Sequence, residues 1–272
     1  MNNDCFENPS SIKILGTRVD AVGIPQIIQY MEDWIAKNHQ HNYIVVANVD
    51  TIVTSKFNIP MQEAVNQSSL SIPDGFPLLL LERLSGYPLK KRAYGPDLMH
   101  GFLKITEGKG YAHFFYGATE GTLTKLIKNI KTLYPKTKIA GFYAPPFKPL
   151  IWEEDSGVIQ RINDLAPDVL WVGIGCPKQE LWMSKHREKL NIPVIAGVGA
   201  AFDFLAGSKR QAPRWVRDCG FEWLFRLITE PKRLWRRYLI NNFLFIYFVG
   251  LELLLKAFSL LKSKPKQQRS SL

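Results

Sequence analysis

Residues 171–182 read Trp-Val-Gly-Ile-Gly-Cys-Pro-Lys-Gln-Glu-Leu-Trp (WVGIGCPKQELW). Val169 to Ile174 is a short apolar strand, Gly175-Cys176-Pro177 turns the chain, and a helix restarts with Lys178, Gln179 and Glu180 in its first turn. This is the crest of a βα unit, where the N–H groups of a helix start hold anions and where open α/β sheets bind ligands. The polar trio therefore stands at the mouth of a pocket, although solvated charge at a helix start gives the same pattern.

The same alternation extends outward on both sides. Ahead of it, Ile12 to Val22 reads as a hairpin around Gly16, and Pro25 starts an amphipathic helix running to about Asn38. Tyr43 to Ala47 is an apolar strand with Asn48, Asp50 and Thr51 at its C-terminal end, followed by a helix from Thr51 to about Asn66. Ser71-Ile72-Pro73-Asp74-Gly75 is a tight turn around one carboxylate. Phe76 to Leu84 is apolar and expected to be buried, and Lys90 to Asp97 is a basic loop entering a helix at Pro96. Strands at Tyr111–Tyr116 and Lys136–Gly141 enclose a helix at Thr119–Leu133. A Pro-rich loop at Ala144–Pro149 and a helix at Trp152–Ala166 complete the approach to Asp168. A last strand, Ile192 to Val198, runs into Gly197-Val198-Gly199-Ala200-Ala201-Phe202-Asp203. These units predict an α/β class: a Rossmann-like, mostly parallel sheet flanked by helices.

Beyond Ala212 the pattern becomes helical, divided by Pro213 and Pro231, each placed at a first helical position. The chain thus divides into an α/β domain, residues 1–208, and a C-terminal helical appendage, residues 209–272. Charge divides the same way. The 272 residues carry a net charge of +11, and from Gly207 onward there are 14 Lys/Arg against 4 Asp/Glu, compared with 21 against 20 before it. A basic segment of this kind calls for a phosphate-rich partner. The apolar stretch Leu239–Leu261 is interrupted by Glu252 and Lys256, each costing roughly 2.5 to 3.5 kcal/mol near a bilayer centre. Asn241, Glu252, Lys256, Ser259 and Ser263 share one helical stripe, which predicts a helix lying in the membrane interface with that stripe outward. Packing against protein, or self-association into a homo-oligomer, suits the same tail.

Three cysteines without pairing pattern fit a reduced compartment, and no Cys/His cluster has metal-ligand spacing. The polar start MNNDCFENPSS does not resemble a secretory signal, so the expected location is the cytoplasm.

Asp74 is the best candidate base, because partial burial would raise its affinity for a proton. Arg92 and Asp97 bracket a Gly-Pro turn and either orient a substrate or pair with each other. Gln179 and Glu180 suit hydrogen bonds to a sugar or base. Gly197 to Asp203 lacks the third glycine of a dinucleotide fingerprint, which argues against a nicotinamide cofactor.

Taken together, Asn48, Pro73-Asp74-Gly75, Arg92-x-x-Gly95-x-Asp97, Gly175-x-Pro177-Lys178-Gln179-Glu180-x-x-Trp182, Gly197-Val198-Gly199-x-x-Phe202-Asp203-x-x-Ala206-Gly207 and Gly220-x-Glu222-Trp223-x-x-Arg226-Leu227-x-x-Glu230-Pro231-x-Arg233 resemble the WecG/TagA/CpsF family of bacterial glycosyltransferases. The resemblance covers about Ile12 to Arg237. It implies an inverting, metal-independent enzyme without cofactor that works peripherally on the cytoplasmic face of the inner membrane. Such an enzyme moves a sugar (N-acetylmannosamine-type, uronic acid or hexose) from a UDP-sugar to a polyprenyl-diphosphate-linked glycan in surface polysaccharide synthesis. By position it makes Asp74 the general base with Arg92 beside it. Asn48, Thr51, Asp97, Lys178, Gln179, Glu180 and Asp203 fall to substrate binding, and Arg226, Arg233 and Arg236 close over the diphosphate. One departure is Val46, where the family commonly has Thr; Thr51 is a candidate to supply the hydroxyl. Two other readings fit parts of the chain. A membrane-bound scaffold that has lost chemistry would explain Val46. A nucleic-acid-binding protein would use the Arg/Trp tail, but bases do not need the apolar helix that follows.

Overall fold

The computed structural model describes residues 9–87, 89, 91–146 and 156–263, with side chains to residue 258. Residues 1–8 with Cys5, Lys90, the end of the Pro-rich loop and the start of the helix expected at Trp152 lie outside the described residues, as do the side chains of Ser259 and Ser263.

Six parallel strands form the central sheet. In chain order these are β3 (Asn42–Ala47), β4 (Leu70–Pro73), β5 (Ala112–Gly117), β6 (Lys138–Tyr143), β7 (Val169–Gly173) and β8 (Val194–Gly197); across the sheet the order is β4-β3-β8-β7-β5-β6. An antiparallel hairpin, β1 (Ser11–Ile14) and β2 (Thr17–Asp20), precedes it, and Asp20 accepts the Ser71 N–H of β4 at 2.7 Å. The strands read as unbroken apolar runs because both faces of a parallel sheet are covered. Alternate residues go to opposite layers. Ile44, Phe115, Trp171 and Ala196 pack with α1 (Ile24–Ala36), α5 (Gly95–Thr106) and α6 (Glu120–Leu133). Val45, Phe114, Leu170 and Ile195 pack with α2 (Val49–Phe57), α3 (Ile59–Asn66) and α8 (Lys178–His186).

The strand order fixes where a ligand can enter. The chain leaves β3 toward β4 at one edge and leaves β5 toward β6 at the other, so the carboxyl ends of β3, β8, β7 and β5 open onto a topological switch point. At that point Gly117, with φ 134°, lies so close to β7 that a Cβ would sit 2.5 Å from the Gly173 carbonyl carbon. Only glycine fits there.

Several expectations are corrected. The single helix from Thr51 to Asn66 is two, α2 and α3. Asn58 takes the Met61 N–H on its side chain, and Pro60 has no N–H to continue the ladder. Ser71, Ile72 and Pro73 of the expected Ser71–Gly75 turn belong to strand β4, leaving Asp74 just past its end. Phe76 to Leu84 is a helix, α4, and only partly buried: Leu78 and Leu79 are inside, whereas Phe76, Leu80 and Leu84 are exposed. Pro213 precedes its helix rather than opening it.

The remaining described elements are α7 (Ser156–Asp164), α9 (Ala201–Leu205) and the appendage. The last comprises α10 (Arg214–Asp218), α11 (Glu222–Thr229) and α12 (Pro231–Trp235), which passes through a π-helical turn at Arg236–Ile240 into α13 (Asn241–Ser263). The stretch Pro231–Phe258 is long and apolar enough to cross a membrane by length and composition. Its polar stripe faces outward only in part. Asn241 donates to Asp50 at 2.6 Å, and Glu252 accepts the Leu15 N–H at 3.1 Å, while Phe245 and Val249 on the same face are buried against the α2 layer. Asn241 and Glu252 dock the helix onto the body, whereas Lys256 is exposed and pairs with Glu252 at 2.8 Å. Phe243, Ile246, Tyr247, Leu254 and Phe258 are left on the exposed side.

Candidate active site

The switch point opens into a cleft of about 440 Å³. Each strand end contributes to it in turn. Asn48 follows β3 and caps α2, its Oδ1 accepting the Thr51 N–H at 3.1 Å; the buried Thr51 hydroxyl lies 3.4 Å from the same oxygen. Val46, Asn48 and Thr51 all line the cleft, so Thr51 brings a hydroxyl to the wall on which Val46 has none.

Asp74 follows β4. Its N–H continues the ladder to the Ala47 carbonyl at 2.7 Å, and the Pro73 carbonyl accepts Ala93 N–H at 2.7 Å, tying the Arg92 loop to the same strand end. The Asp74 side chain is 16% exposed and borders the cleft. Burial pushes its carboxyl up to about 7; Arg92 opposes this, Glu222 adds to it, Arg226 opposes and Asp97 adds. Arg92 Nη1 is 3.2 Å from Asp74 Oδ1, and Arg92 Nη2 contacts Glu222 of α11. Tyr94 donates to Glu222 Oε1 at 2.7 Å. A carboxylate with a proton affinity near neutrality, open to a cleft and oriented by a cation, has the properties of a general base.

A second buried carboxylate enters from the α8 wall. Glu180 is 1% exposed, lines the cleft and has no hydrogen-bond partner at Oε2. Burial pushes it up to about 7, with its own N–H acting against the rise, Asp50 adding to it, and Arg237 and Gln179 opposing. Gln179 donates to Glu180 Oε1 at 3.3 Å and accepts the Gly199 N–H at 3.0 Å, bridging the turns after β7 and β8. Beside them Arg237 pairs with Asp50 at 2.6 Å. Cys176 shares this wall, and burial, Glu180 and Asp50 all push its thiol up.

The appendage roofs the cleft. Arg226, Arg233 and Arg237 line it together with Lys209. Lys209 joins Asp203 at 2.9 Å to Glu230 at 3.2 Å, and Glu230 also holds Arg233 at 2.6 Å. Arg226 lies over the Phe204 ring at 5.6 Å, and its Nε has no hydrogen-bond partner. Among the described residues no group of three His, Cys, Asp or Glu is arranged to hold a metal ion.

Of the residues singled out in the sequence, Asn48, Thr51, Asp74, Lys178, Gln179, Glu180, Asp203, Arg226 and Arg233 meet at this cleft, Lys178 on its exposed rim. Three stand off it. Arg92 is behind Asp74, Asp97 pairs with Arg217 at 3.1 Å, and Arg236 is exposed over the Trp235 ring at 5.2 Å. Arg92 and Asp97 do not pair with each other; each takes an appendage partner, Glu222 and Arg217. Sequence reasoning missed Arg237, Lys209, Tyr94 and Glu222 as site residues. Arg236 and Arg237 follow Arg233 by three and four positions, both of which keep to one helix face, so spacing alone does not choose between them. Glu222 carried a usable signal, being one of only four acids in a strongly basic segment.

The sequence model of the WecG/TagA/CpsF family of glycosyl transferases matches residues 12–258. The chain belongs to this family. It is also 29% identical over 239 residues to a Staphylococcus aureus protein named N-acetylglucosaminyldiphosphoundecaprenol N-acetyl-beta-D-mannosaminyltransferase, covering 88% of this chain and 92% of the relative. A Bacillus spizizenii protein of the same name is 28% identical over 216 residues, covering 79% and 82%. The glycosyltransferase therefore carries its family's match across both the α/β body and most of the appendage, and the cleft lies where the two meet.

Proposed function

We propose that this glycosyltransferase moves a sugar from a UDP-sugar, of the N-acetylmannosamine type that its relatives' names specify, to a hydroxyl of a polyprenyl-diphosphate-linked glycan in surface polysaccharide synthesis. The observation that carries the reading is Asp74, half-buried at the cleft with a carboxyl near neutrality and facing an arginine-lined roof. The acceptor oxygen attacks the anomeric carbon from the face opposite the leaving group and gives its proton to Asp74. The bond from that carbon to the diphosphate oxygen breaks, and the nucleotide diphosphate departs with the electron pair. Arg226, Arg233 and Arg237 supply positive charge and forked donors to the departing phosphates without a metal. Asn48, Thr51, Gln179, Glu180 and Asp203 are the polar groups that orient sugar and nucleoside.

The exposed apolar side of α13, within a basic appendage, suits the cytoplasmic surface of the membrane that holds a lipid-linked acceptor. On this reading residues 209–272 serve both as roof and as anchor. Co-sedimentation with anionic vesicles is expected, and loss of it on Phe243→Ser plus Ile246→Ser checks the anchor.

The deciding experiment offers labelled UDP-sugars, with chelator present, to a short polyprenyl-diphosphate-linked acceptor. Turnover by the native chain that falls about 10² to 10⁴-fold in Asp74→Asn is expected for a base of this kind. Undiminished turnover in the variant removes Asp74 from the mechanism.

A further inference from the structure

Arg92 has a planar fork able to grip one carboxylate with two parallel bonds, the strongest arrangement open to it. It does not do so. Nη1 goes to Asp74 at 3.2 Å, and Nη2 is taken by Glu222, which comes from the appendage. Glu222 is itself buried, at 7% exposure, and its other oxygen receives the Tyr94 hydroxyl at 2.7 Å. That hydroxyl in turn accepts from Gln211 at 3.3 Å, and the Arg92 guanidinium stacks on the Tyr94 ring at 4.3 Å. Glu222 thus holds two donors, Arg92 Nη2 and the Tyr94 hydroxyl, while Asp74 holds one.

We propose that Glu222 is a positioning residue that arms the base: by holding Nη2 of Arg92 it prevents a forked Arg92–Asp74 pair, and it does so only when the appendage is docked. The proposal rests on Asp74 as base and adds the device that regulates it. Docking is specific at this corner. Gly220, two residues before Glu222, lies against Phe76 at the start of α4, where a Cβ would stand 2.7 Å from the Phe76 Cβ, one turn from Asp74. With the appendage away, Arg92 is free to fork onto Asp74 and neutralise it.

Charged and titratable groups reach Asp74 from four elements: Arg92 and Tyr94 from the loop before α5, Asp97 from α5, Glu222 and Arg226 from α11, and Tyr238 from the π-helical turn. Glu222 is the nearest acid tied to the same guanidinium. Replacing it by Gln removes one negative charge and frees Nη2, and both changes lower the proton affinity of Asp74.

The test uses the full-length chain and the variants Glu222→Gln and Glu222→Asp, with melting temperatures confirming that each is folded. Carboxyl ¹³C NMR of Asp-labelled protein, with Asp74 assigned by its loss in Asp74→Asn, reads the titration directly. In Glu222→Gln the Asp74 midpoint is expected to fall by about one pH unit, the acid limb of the kcat profile to move the same way, and the plateau to drop several-fold. Glu222→Asp keeps the charge and is expected to restore the native midpoint. An Asp74 midpoint unchanged in Glu222→Gln overturns the proposal, as does a lowered kcat with an unmoved acid limb. The NMR arm stands without turnover: if the native chain transfers no sugar, the functional reading fails while the Glu222–Asp74 coupling is still decided.

Discussion

Asp74 and Glu180 face one cleft from two walls, and both have carboxyls pushed up to about 7, chiefly by burial. Their surroundings differ. Asp74 has a cation in direct contact, a share of solvent and a second carboxylate competing for that cation. Glu180 is 1% exposed, is held by Gln179 and its own N–H, and leaves Oε2 without a side-chain partner. The same displacement therefore marks two situations. At both, burial dominates; at Asp74 it is adjusted by a directly contacting cation and that cation's second carboxylate partner, whereas Glu180 is enclosed without a contacting cation. A raised carboxyl is a candidate base only where a substrate oxygen can reach it and a positioned charge can respond.

The largest effect expected to separate the two walls is on rate. Asp74→Asn should lower transfer about 10² to 10⁴-fold, while Glu180→Gln, which keeps shape and hydrogen-bonding capacity, should stay within about 10-fold of native. Equal losses in a steady-state assay would break the comparison.

Stability follows next. A carboxyl raised from 4.5 unfolded to about 7 folded carries no penalty below the unfolded value. It costs increasingly as pH rises from 4.5 to 7, and above 7 the full cost applies, up to about 3 kcal/mol. Denaturation of the native chain at pH 5 and pH 8, beside Glu180→Gln, is expected to show the variant gaining stability only at the higher pH.

The smallest effect distinguishes neighbours on the roof. Arg237→Ala takes the cation from Asp50, leaving it to Asn241 and the Cys176 thiol, and should cost about 1 to 3 kcal/mol. Arg236→Ala removes an exposed side chain and should stay within about 0.5 kcal/mol. Matching urea midpoints for the two would show that the Arg237–Asp50 pair does not hold the roof.

Much of this was legible in the chain itself. Apolar runs such as Tyr43–Ala47 and Asp168–Ile174 declared buried parallel strands, and the polar residues just past them, Asn48 and Lys178 to Glu180, marked the ligand edge. Asp74 was legible as a carboxylate in a turn after a strand-like segment, but the strand's bounds were not, because four residues of Leu-Ser-Ile-Pro carry no clear period. The orientation of α13 was misread for a physical reason. A stripe of Asn241, Glu252 and Lys256 on an apolar helix looks solvated in isolation, and only the facing Asp50 and Leu15 N–H reveal Asn241 and Glu252 as docking groups. Glu222 stood out as an acid in a basic segment, but its role was hidden, since it depends on Arg92, 130 residues earlier.

The bond from Leu15 to Glu252 joins positions 237 residues apart. On a ribosome moving at about 5 to 20 residues per second, roughly 10 to 50 seconds separate the synthesis of its two ends. Throughout that interval the opening hairpin and the outer face of α2 wait uncovered for a helix that has not yet been made. The body is thus closed by a helix made long after it, and a nascent chain stalled before α13 would present to chaperones and proteases the apolar surface that Phe245 and Val249 later close.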